Sequence, residues 1–358
     1  MPMNKNRIRV GVVYGGRSAE HGVSCETAAG IMGNLDPRRF DVVGFAITTE
    51  GTWVQTDVDL DRLAINAGQL PNITESWGTV VGIEEALSSV DVIFPFAEDV
   101  NIQGLLELTG VPYVGPDVFG SVAGADKEFT KTLLAADGFS VAEFVTLRAH
   151  EDTVQPEQLE RLGLPLFVKP ARGGSSIGVH RVTTTDELPA AIADARRYDR
   201  KVLVEAAVRG RELWCGLLEF LDGTVKASAV GEVNIDDGHG REDGFYDFAK
   251  KYFDGVSHLD APANIDEVPH LVVPANIDDD VCAEVRRLAI KAFHATESRG
   301  LSRIDFFLTD NGVMVNEINP IPALTTVSMY PLGWAVSGVD HPTLLATMVE
   351  TALARGTR

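Results

Sequence analysis

Asp305, Glu317 and Asn319 are oxygen-bearing side chains set into two strongly apolar stretches of a 358-residue chain. Asp305 follows Ser302-Arg303-Ile304 in the run 301–308, and Glu317-Ile318-Asn319 closes a second run that begins at 313. Thr309-Asp310-Asn311-Gly312 between them has the composition of a hairpin turn. Two adjacent antiparallel strands bring the three oxygen donors together, with Arg303 on the face of Asp305 because strand side chains alternate. Hard cations take carboxylate and amide oxygens, so this set beside a guanidinium suits Mg²⁺ bridging the phosphates of a nucleotide. A solvated acidic hairpin is the plainer alternative, but it leaves carboxylates in apolar strands without a partner.

Further groups suit the same ligand. Gly173-Gly174-Ser175-Ser176-Ile177-Gly178 joins two strand signals just after Lys169-Pro170, and successive backbone N–H groups in such a loop can cradle phosphate oxygens. The setting is strand–loop–strand, unlike the Walker arrangement, and a flexible hairpin tip competes on turn composition alone. Lys127 at a helix start and Lys169 add cations that would neutralise an α- or β-phosphate. Glu205, then Ala206-Ala207-Val208 and Glu212, reads as a hinge whose backbone meets an adenine edge and whose carboxylates hold ribose hydroxyls; surface glutamates are the alternative. Gly15-Gly16-Arg17-Ser18-Ala19-Glu20-His21 lacks the dinucleotide fingerprint, and Glu20 suits a ligand ammonium or the dipole of the helix it opens. In the polar, Gly-rich segment 236–274, Lys251 suits a carboxylate or phosphate and Tyr252 a hydrogen bond across a cleft. A stretch that long is more often a lid than an idle loop, although a solvated lid without such contacts fits these two residues equally.

The elements that must position these groups fall into an α/β part and an α+β part. Strands at 7–14, 41–47, 90–94 and 112–114 alternate with helices at 24–34, 84–88 and 102–108, predicting a parallel α/β lobe. A helix at 127–136 precedes strands at 166–169, 179–182, 202–207, 213–221 and 224–231, with helices at 186–198 and 279–298. Three domains are expected, at 1–122, 123–213 and 214–358. The net charge of −21 excludes a nucleic-acid surface and a polybasic membrane anchor. With no apolar run near ~18 residues and no signal peptide, a cytoplasmic location is expected. Cys25, Cys215 and Cys282 are widely spaced in apolar settings and read as reduced thiols.

Several of these motifs, in this order, resemble the D-alanine–D-alanine ligases of the ATP-grasp superfamily. The matching stretches are 15–24, 110–115, 126–131, 168–179 and 245–252, together with the Arg303-Ile304-Asp305 and Glu317-Ile318-Asn319 segments. The resemblance implies an N-terminal α/β lobe and two α+β lobes clasping ATP. It also implies formation of an acylphosphate from one D-alanine, then attack by the amine of a second, for peptidoglycan precursor synthesis. By motif match, Asp305, Glu317 and Asn319 hold two Mg²⁺ ions, with Mn²⁺ an acceptable replacement, and Arg303 stabilises an oxyanion. Glu20, Ser175 and Tyr252 form a triad around the first substrate. Lys251, Ser328 and the Met329 backbone receive the second carboxylate. Lys127, Lys169, Glu205, Ala206, Val208, Glu212 and Lys251 bind ATP, and a homodimer built on the first lobe is implied.

The chain departs from the family pattern in two places. Phe94-Pro95 is followed by a loop roughly five residues short before Gln103-Gly104, and a pattern of Asn-Thr-x-Pro-Gly becomes Asn319-Pro320-Ile321-Pro322-Ala323. Pro320 lacks an N–H, and Ala323 would be strained if its position needs φ > 0. A ligase with a different acceptor in specialised metabolism, and a nucleotide-binding paralogue that no longer ligates, therefore stay open. Losing one oxyanion donor costs ~10²–10³ in turnover, so activity with D-alanine should be low, or a bulkier partner preferred. Rebuilding the family's loop together with Ala323→Gly should raise the D-alanyl-D-alanine rate. A rate of tens per second without those changes, roughly ordinary for an enzyme, would show the departures to be neutral.

Overall fold

Short apolar strands interleaved with helices fold into three sheets, each drawn from one continuous stretch of chain. The computed structural model describes residues 7–65, 69–97, 99–234, 268 and 270–356. In the first lobe β1 (Ile8–Gly15), β2 (Phe40–Ile47), β3 (Trp53–Thr56), β4 (Thr79–Val80) and β5 (Val92–Phe96) lie in the order β4-β3-β2-β1-β5. β1 runs parallel to β2 and β5, giving the parallel centre that the sequence predicts. β3 and β4 add an antiparallel edge that the sequence reading does not contain. The strand expected at 112–114 is reduced to one bridge between Tyr113 and Ile93, and that expected at 90–94 lies two residues later.

The central lobe has β6 (Phe144–Leu147), β7 (Leu166–Pro170), β8 (His180–Val182) and β9 (Val202–Ala206) in the antiparallel order β6-β9-β7-β8. Its core is local, with Leu166, Val168, Val202 and Val204 packed under Ile192 of the helix Leu188–Ala195. That helix starts later than the expected 186, behind a short 3₁₀ turn at Thr185–Glu187, with Pro189 in its first turn where no N–H is needed.

The third sheet is β12-β11-β10-β13-β14, all antiparallel, from β10 (Arg211–Glu219), β11 (Val225–Val233), β12 (Leu271–Val272), β13 (Leu301–Thr309) and β14 (Gly312–Asn319). Helix Asp279–Ala295 covers one face through Val285, Ala289 and Phe293, against Cys215, Ile304 and Phe306. Helix Lys127–Ala136, which falls in the expected central domain 123–213, joins this third core instead, through Leu134. The first and third lobes share another core, in which Tyr14 and Phe94 meet Leu301, Tyr330 and Trp334. Of the segment 236–274 expected to form a lid, only residues 268 and 270–274 are described; the rest lies outside the described residues. Among the described residues no helix is long and apolar enough to cross a membrane. The three cysteines are free thiols, and burial pushes Cys25 and Cys215 up to about 12.

One buried acid stands out in the first lobe. Glu26, on helix His21–Asn34, is 3% exposed and its Oε1 accepts from the Ile65 N–H at 3.2 Å. Burial raises its carboxyl to about 7, only partly offset by that hydrogen bond. A raised carboxyl favours the folded state fully below the ordinary carboxylate range, and this contribution is lost as pH rises through about 7. Glu26→Gln, which keeps the acceptor without the charge, should therefore raise the melting temperature at pH 8 and have little effect at pH 5. Equal shifts at the two pH values would contradict a buried protonated acid.

Candidate active site

The acidic hairpin forms as its sequence suggests, with one irregularity that decides its chemistry. Phe306 pairs with Val315, but Asp305 pairs with Glu317, so Asn316 is an extra residue bulged out of β14. Ile318 then opposes Ile304 on the core face, and Asn319 opposes Arg303. Beyond the bulge, Glu317 and Asn319 share the face of Asp305 and Arg303. Without it, Glu317 would oppose Ile304 and point to the core. Arg303 grips Asp305 with two hydrogen bonds of 2.7 and 2.8 Å, and the Asn319 amide donates to Asp305 Oδ2 at 3.0 Å. Among the described residues no group of three or more His, Cys, Asp or Glu is arranged to hold a metal ion, and the donor set here is two carboxylates and one amide. That set fits Mg²⁺, which takes few protein carboxylates and completes its shell with water and substrate phosphates.

The glycine-rich loop leaves β7 at Pro170 and returns as β8. Ser175 and Ser176 both have left-handed backbones, with φ of 53° and 61°, a conformation disfavoured for side-chain-bearing residues and found where a site demands it. Beneath the loop, the Arg172 guanidinium and N–H bind Asp199, and the buried Lys201 ammonium binds Asp126 and Glu128 at 2.5–2.8 Å. Ser175 donates to Glu20 Oε1 at 2.5 Å, joining the central lobe to the first. Glu20 sits at the start of helix His21–Asn34. Next to it, His21 Nδ1–H donates to the Gly16 carbonyl at 2.7 Å and Nε2 accepts from the Ile73 N–H at 3.1 Å, bracing the turn that presents Glu20.

Lysines connect loop and hairpin. Lys127 Nζ donates to the Gly173 carbonyl at 2.6 Å and lies 3.9 Å from Glu317 Oε2. Lys169 Nζ is 2.9 Å from Glu205 Oε2, and Lys131 Nζ is 3.3 Å from the same oxygen. Both ammonium groups thus converge on a single oxygen of the buried Glu205 carboxylate. Burial raises the Glu205 carboxyl, but Lys169 and Lys131 outweigh it and hold the group below the ordinary carboxylate range. Ala206 ends β9 and Val208 lies half-buried in the turn that follows, while Glu212 stands in β10 opposite Phe307 and Val233.

Ser328 occupies the N-cap position of helix Met329–Val336 without a side-chain capping bond, and its hydroxyl lies 2.6 Å from Thr325 Oγ1. Lys251 and Tyr252 lie outside the described residues. Ala323 has a negative φ, so the strain expected if its position needed φ > 0 does not arise. Pro320 packs against Gly124, where an added Cβ would stand 3.1 Å from the proline ring. Sequence reasoning missed Lys131, Asn316 and His21 as parts of the site. Lys131 stands four residues after Lys127, one helical turn along the same face. The bulge is written in the spacing of Val313, Val315 and Ile318, which breaks the two-residue period.

A parallel α/β lobe followed by two antiparallel lobes, with a glycine-rich loop facing an acidic hairpin, defines a nucleotide-dependent ligase of the ATP-grasp type. Residues 9–116 match the family model "D-ala D-ala ligase N-terminus" and residues 133–350 match "D-ala D-ala ligase C-terminus". The D-alanine--D-alanine ligase of Mycolicibacterium smegmatis is 55% identical over 373 aligned positions, covering 98% of this chain and 97% of that protein. That of Mycobacterium tuberculosis (strain CDC 1551 / Oshkosh) is 54% identical, over 98% and 96%. Among solved structures, the D-alanine-D-alanine ligase from Coxiella burnetii is similar at a TM-score of 0.76 and 31% identity, covering 98% of this chain and 95% of that one. The VanG D-Ala:D-Ser ligase from Enterococcus faecalis is similar at 0.75 and 27%, over 97% and 99%. This chain belongs to the D-alanine–D-alanine ligase family. An alignment of 373 positions exceeds the 358 residues here, so the mycobacterial relative carries residues that this chain lacks.

The Glu20–Ser175 contact leaves no room for a side chain at Gly174, where a Cβ would stand 2.7 Å from Glu20 Oε1. Gly174→Ala should cut kcat/KM for the amino-acid substrate by roughly 10–100-fold, as small displacements in a site do, and leave the melting temperature unchanged. Unaltered kinetics would separate Glu20 from the substrate.

Proposed function

We propose that this chain joins two D-alanines to D-alanyl-D-alanine, driven by ATP, as a cytoplasmic step in making peptidoglycan precursors. The observation that carries the site assignment is a continuous line of contacts. It runs from Glu20 through Ser175 and the Gly173 carbonyl to Lys127, and on to Glu317 opposite Asp305. On this reading a carboxylate for the substrate ammonium stands at one end and a face for phosphate and metal at the other. Family membership supports the same order.

Glu20, steadied by Ser175, would bind the first D-alanine's ammonium and aim its carboxylate at the nucleotide. A carboxylate oxygen attacks the γ-phosphorus, the bond to the β-phosphate oxygen breaks, and ADP leaves an acylphosphate behind. The amine of the second D-alanine, its carboxylate received by Ser328, the Met329 N–H and Lys251, attacks the acyl carbon. Phosphate leaves, and the new amide gives up its extra proton. Arg303 would donate to the developing oxyanion. Lys127 and Lys169 take α- and β-phosphate charge, while Glu205, the Ala206 and Val208 backbone and Glu212 take the nucleoside. Asp305, Glu317 and Asn319 would hold Mg²⁺, which supplies charge neutralisation at the transferred phosphoryl group. Tyr252 completes the triad with Glu20 and Ser175. The lobes are read as 1–122, 123–213 and 214–358, with the qualification that β10 starts at Arg211, before the last of these bounds, and that helix Lys127–Ala136 packs on the third core. A homodimer through the first lobe is supported by Val118, Phe119 and Val122, apolar side chains left exposed on helix Val118–Ala125.

The protein incubated with ATP, Mg²⁺ and single D- or L-amino acids should release ADP and phosphate in step with D-alanyl-D-alanine, identified by mass. MgATP at 100 times its Kd should stabilise the fold by about 2.7 kcal/mol, and Asp305→Ala should abolish turnover while keeping a cooperative melt. Absence of both the thermal shift and phosphate release at millimolar MgATP would overturn the assignment.

A further inference from the structure

Lys131 is 1% exposed, among the most deeply buried side chains of the described chain. An ammonium group taken out of water must find charge or hydrogen-bond partners. Its partners are Glu205 Oε2 at 3.3 Å and the carbonyl of the bulged Asn316 at 3.2 Å. These belong to different lobes, since Glu205 lies in β9 of the central sheet and Asn316 in β14 of the third. Lys131 itself is carried by a helix that packs on the third lobe's core. Burial pulls its ammonium down, with Lys169 acting in the same direction and Glu205 and Glu317 opposing.

A structural ion pair would need one lysine for Glu205, and this cluster has two. Lys169, at 2.9 Å, already pairs with the carboxylate. The buried group therefore carries more positive than negative charge, an excess suited to an incoming anion. When a phosphate draws Lys169 away, Glu205 would be left buried without compensation unless a second ammonium stayed behind. We propose that Lys131 is a positioning residue for the nucleotide: it keeps Glu205 compensated while Lys169 turns to a phosphate, and through the Asn316 carbonyl it holds the metal-binding end of β14 against the same cluster. This rests on the reading that Lys169 and Glu205 face ATP.

The test compares Lys131→Met, Lys169→Met, Glu205→Gln and the double variant Lys131→Gln/Glu205→Gln. The measurements are MgATP Kd by calorimetry, the KM for D-alanine at saturating ATP, and the melting temperature. Lys131→Met should weaken MgATP by about 10–100-fold, with the D-alanine KM changed less than about threefold. Because Lys131 acts through Glu205, the double variant should bind MgATP no more weakly than Glu205→Gln alone, whereas independent sites would multiply their losses. The double variant replaces the ion pair by an uncharged pair of similar shape, so it supplies the comparison even if Lys131→Met fails to fold. If Lys169→Met leaves the MgATP Kd unchanged, the nucleotide-site reading itself fails. If Lys169→Met weakens binding while Lys131→Met lowers only the melting temperature, or the double variant multiplies the losses, the role given to Lys131 is overturned.

Discussion

One extra residue in one strand sets the chemistry of this fold. Asn316 interrupts the pairing of β13 and β14 after Val315 has met Phe306 and before Glu317 meets Asp305. The core demands apolar side chains beneath Phe306 and Ile304, and β14 supplies Val315 and Ile318, three positions apart. A regular strand cannot place both inward, because its side chains alternate. The bulge reconciles the two, and in doing so turns Glu317 and Asn319 onto the face of Arg303 and Asp305. Core packing and the acidic face are therefore one constraint rather than two. The carbonyl displaced by the bulge is the one that Lys131 binds.

Around that hairpin several charged groups are buried, and each has a counterpart. Lys131 and Lys169 share Glu205, Lys201 is held by Asp126 and Glu128, and Asp199 by Arg172. Replacing such pairs by apolar residues often leaves stability unchanged or raises it, so stability alone does not explain their presence. Their common feature is position. They lie beneath or beside the loop at 173–178, whose strained Ser175 and Ser176 need a rigid floor. The network fixes where the loop begins, through Arg172, and where helix Lys127–Ala136 begins, through Asp126, which caps that helix.

Features carried by neighbouring residues were legible in the sequence. The hairpin turn, the Arg303–Asp305 alternation, the strand–loop–strand frame of the glycines and the parallel centre of the first sheet all follow from local period and turn composition. What the sequence hid depends on distant partners. Glu20 and Ser175 are 155 positions apart and came together only through family resemblance. Lys131 carries no sign of its burial in the sequence, because nothing nearby reveals that Glu205 and Asn316 enclose it. β3 and β4 were missed because strands of four and two residues carry almost no periodic signal. At Ala323 the reasoning from residue type was sound but conditional, and the backbone does not meet the condition.

The central lobe has a core of its own, drawn from residues 145–204 without help from the other two. Its first and last strands, β6 and β9, are paired side by side, with Phe144 opposite Glu205. The polypeptide thus leaves the body of the molecule and comes back to almost the same point. Topologically this is an excursion, a self-contained loop-out grafted onto two lobes that already share a core. Such a graft can exchange its sequence, or drift in stability, with little disturbance to what it is grafted upon. The side chains that attach it to the remainder include Ser175, on Glu20, and Glu205, on Lys131, so selection for binding and selection for holding the module in place fall on the same residues.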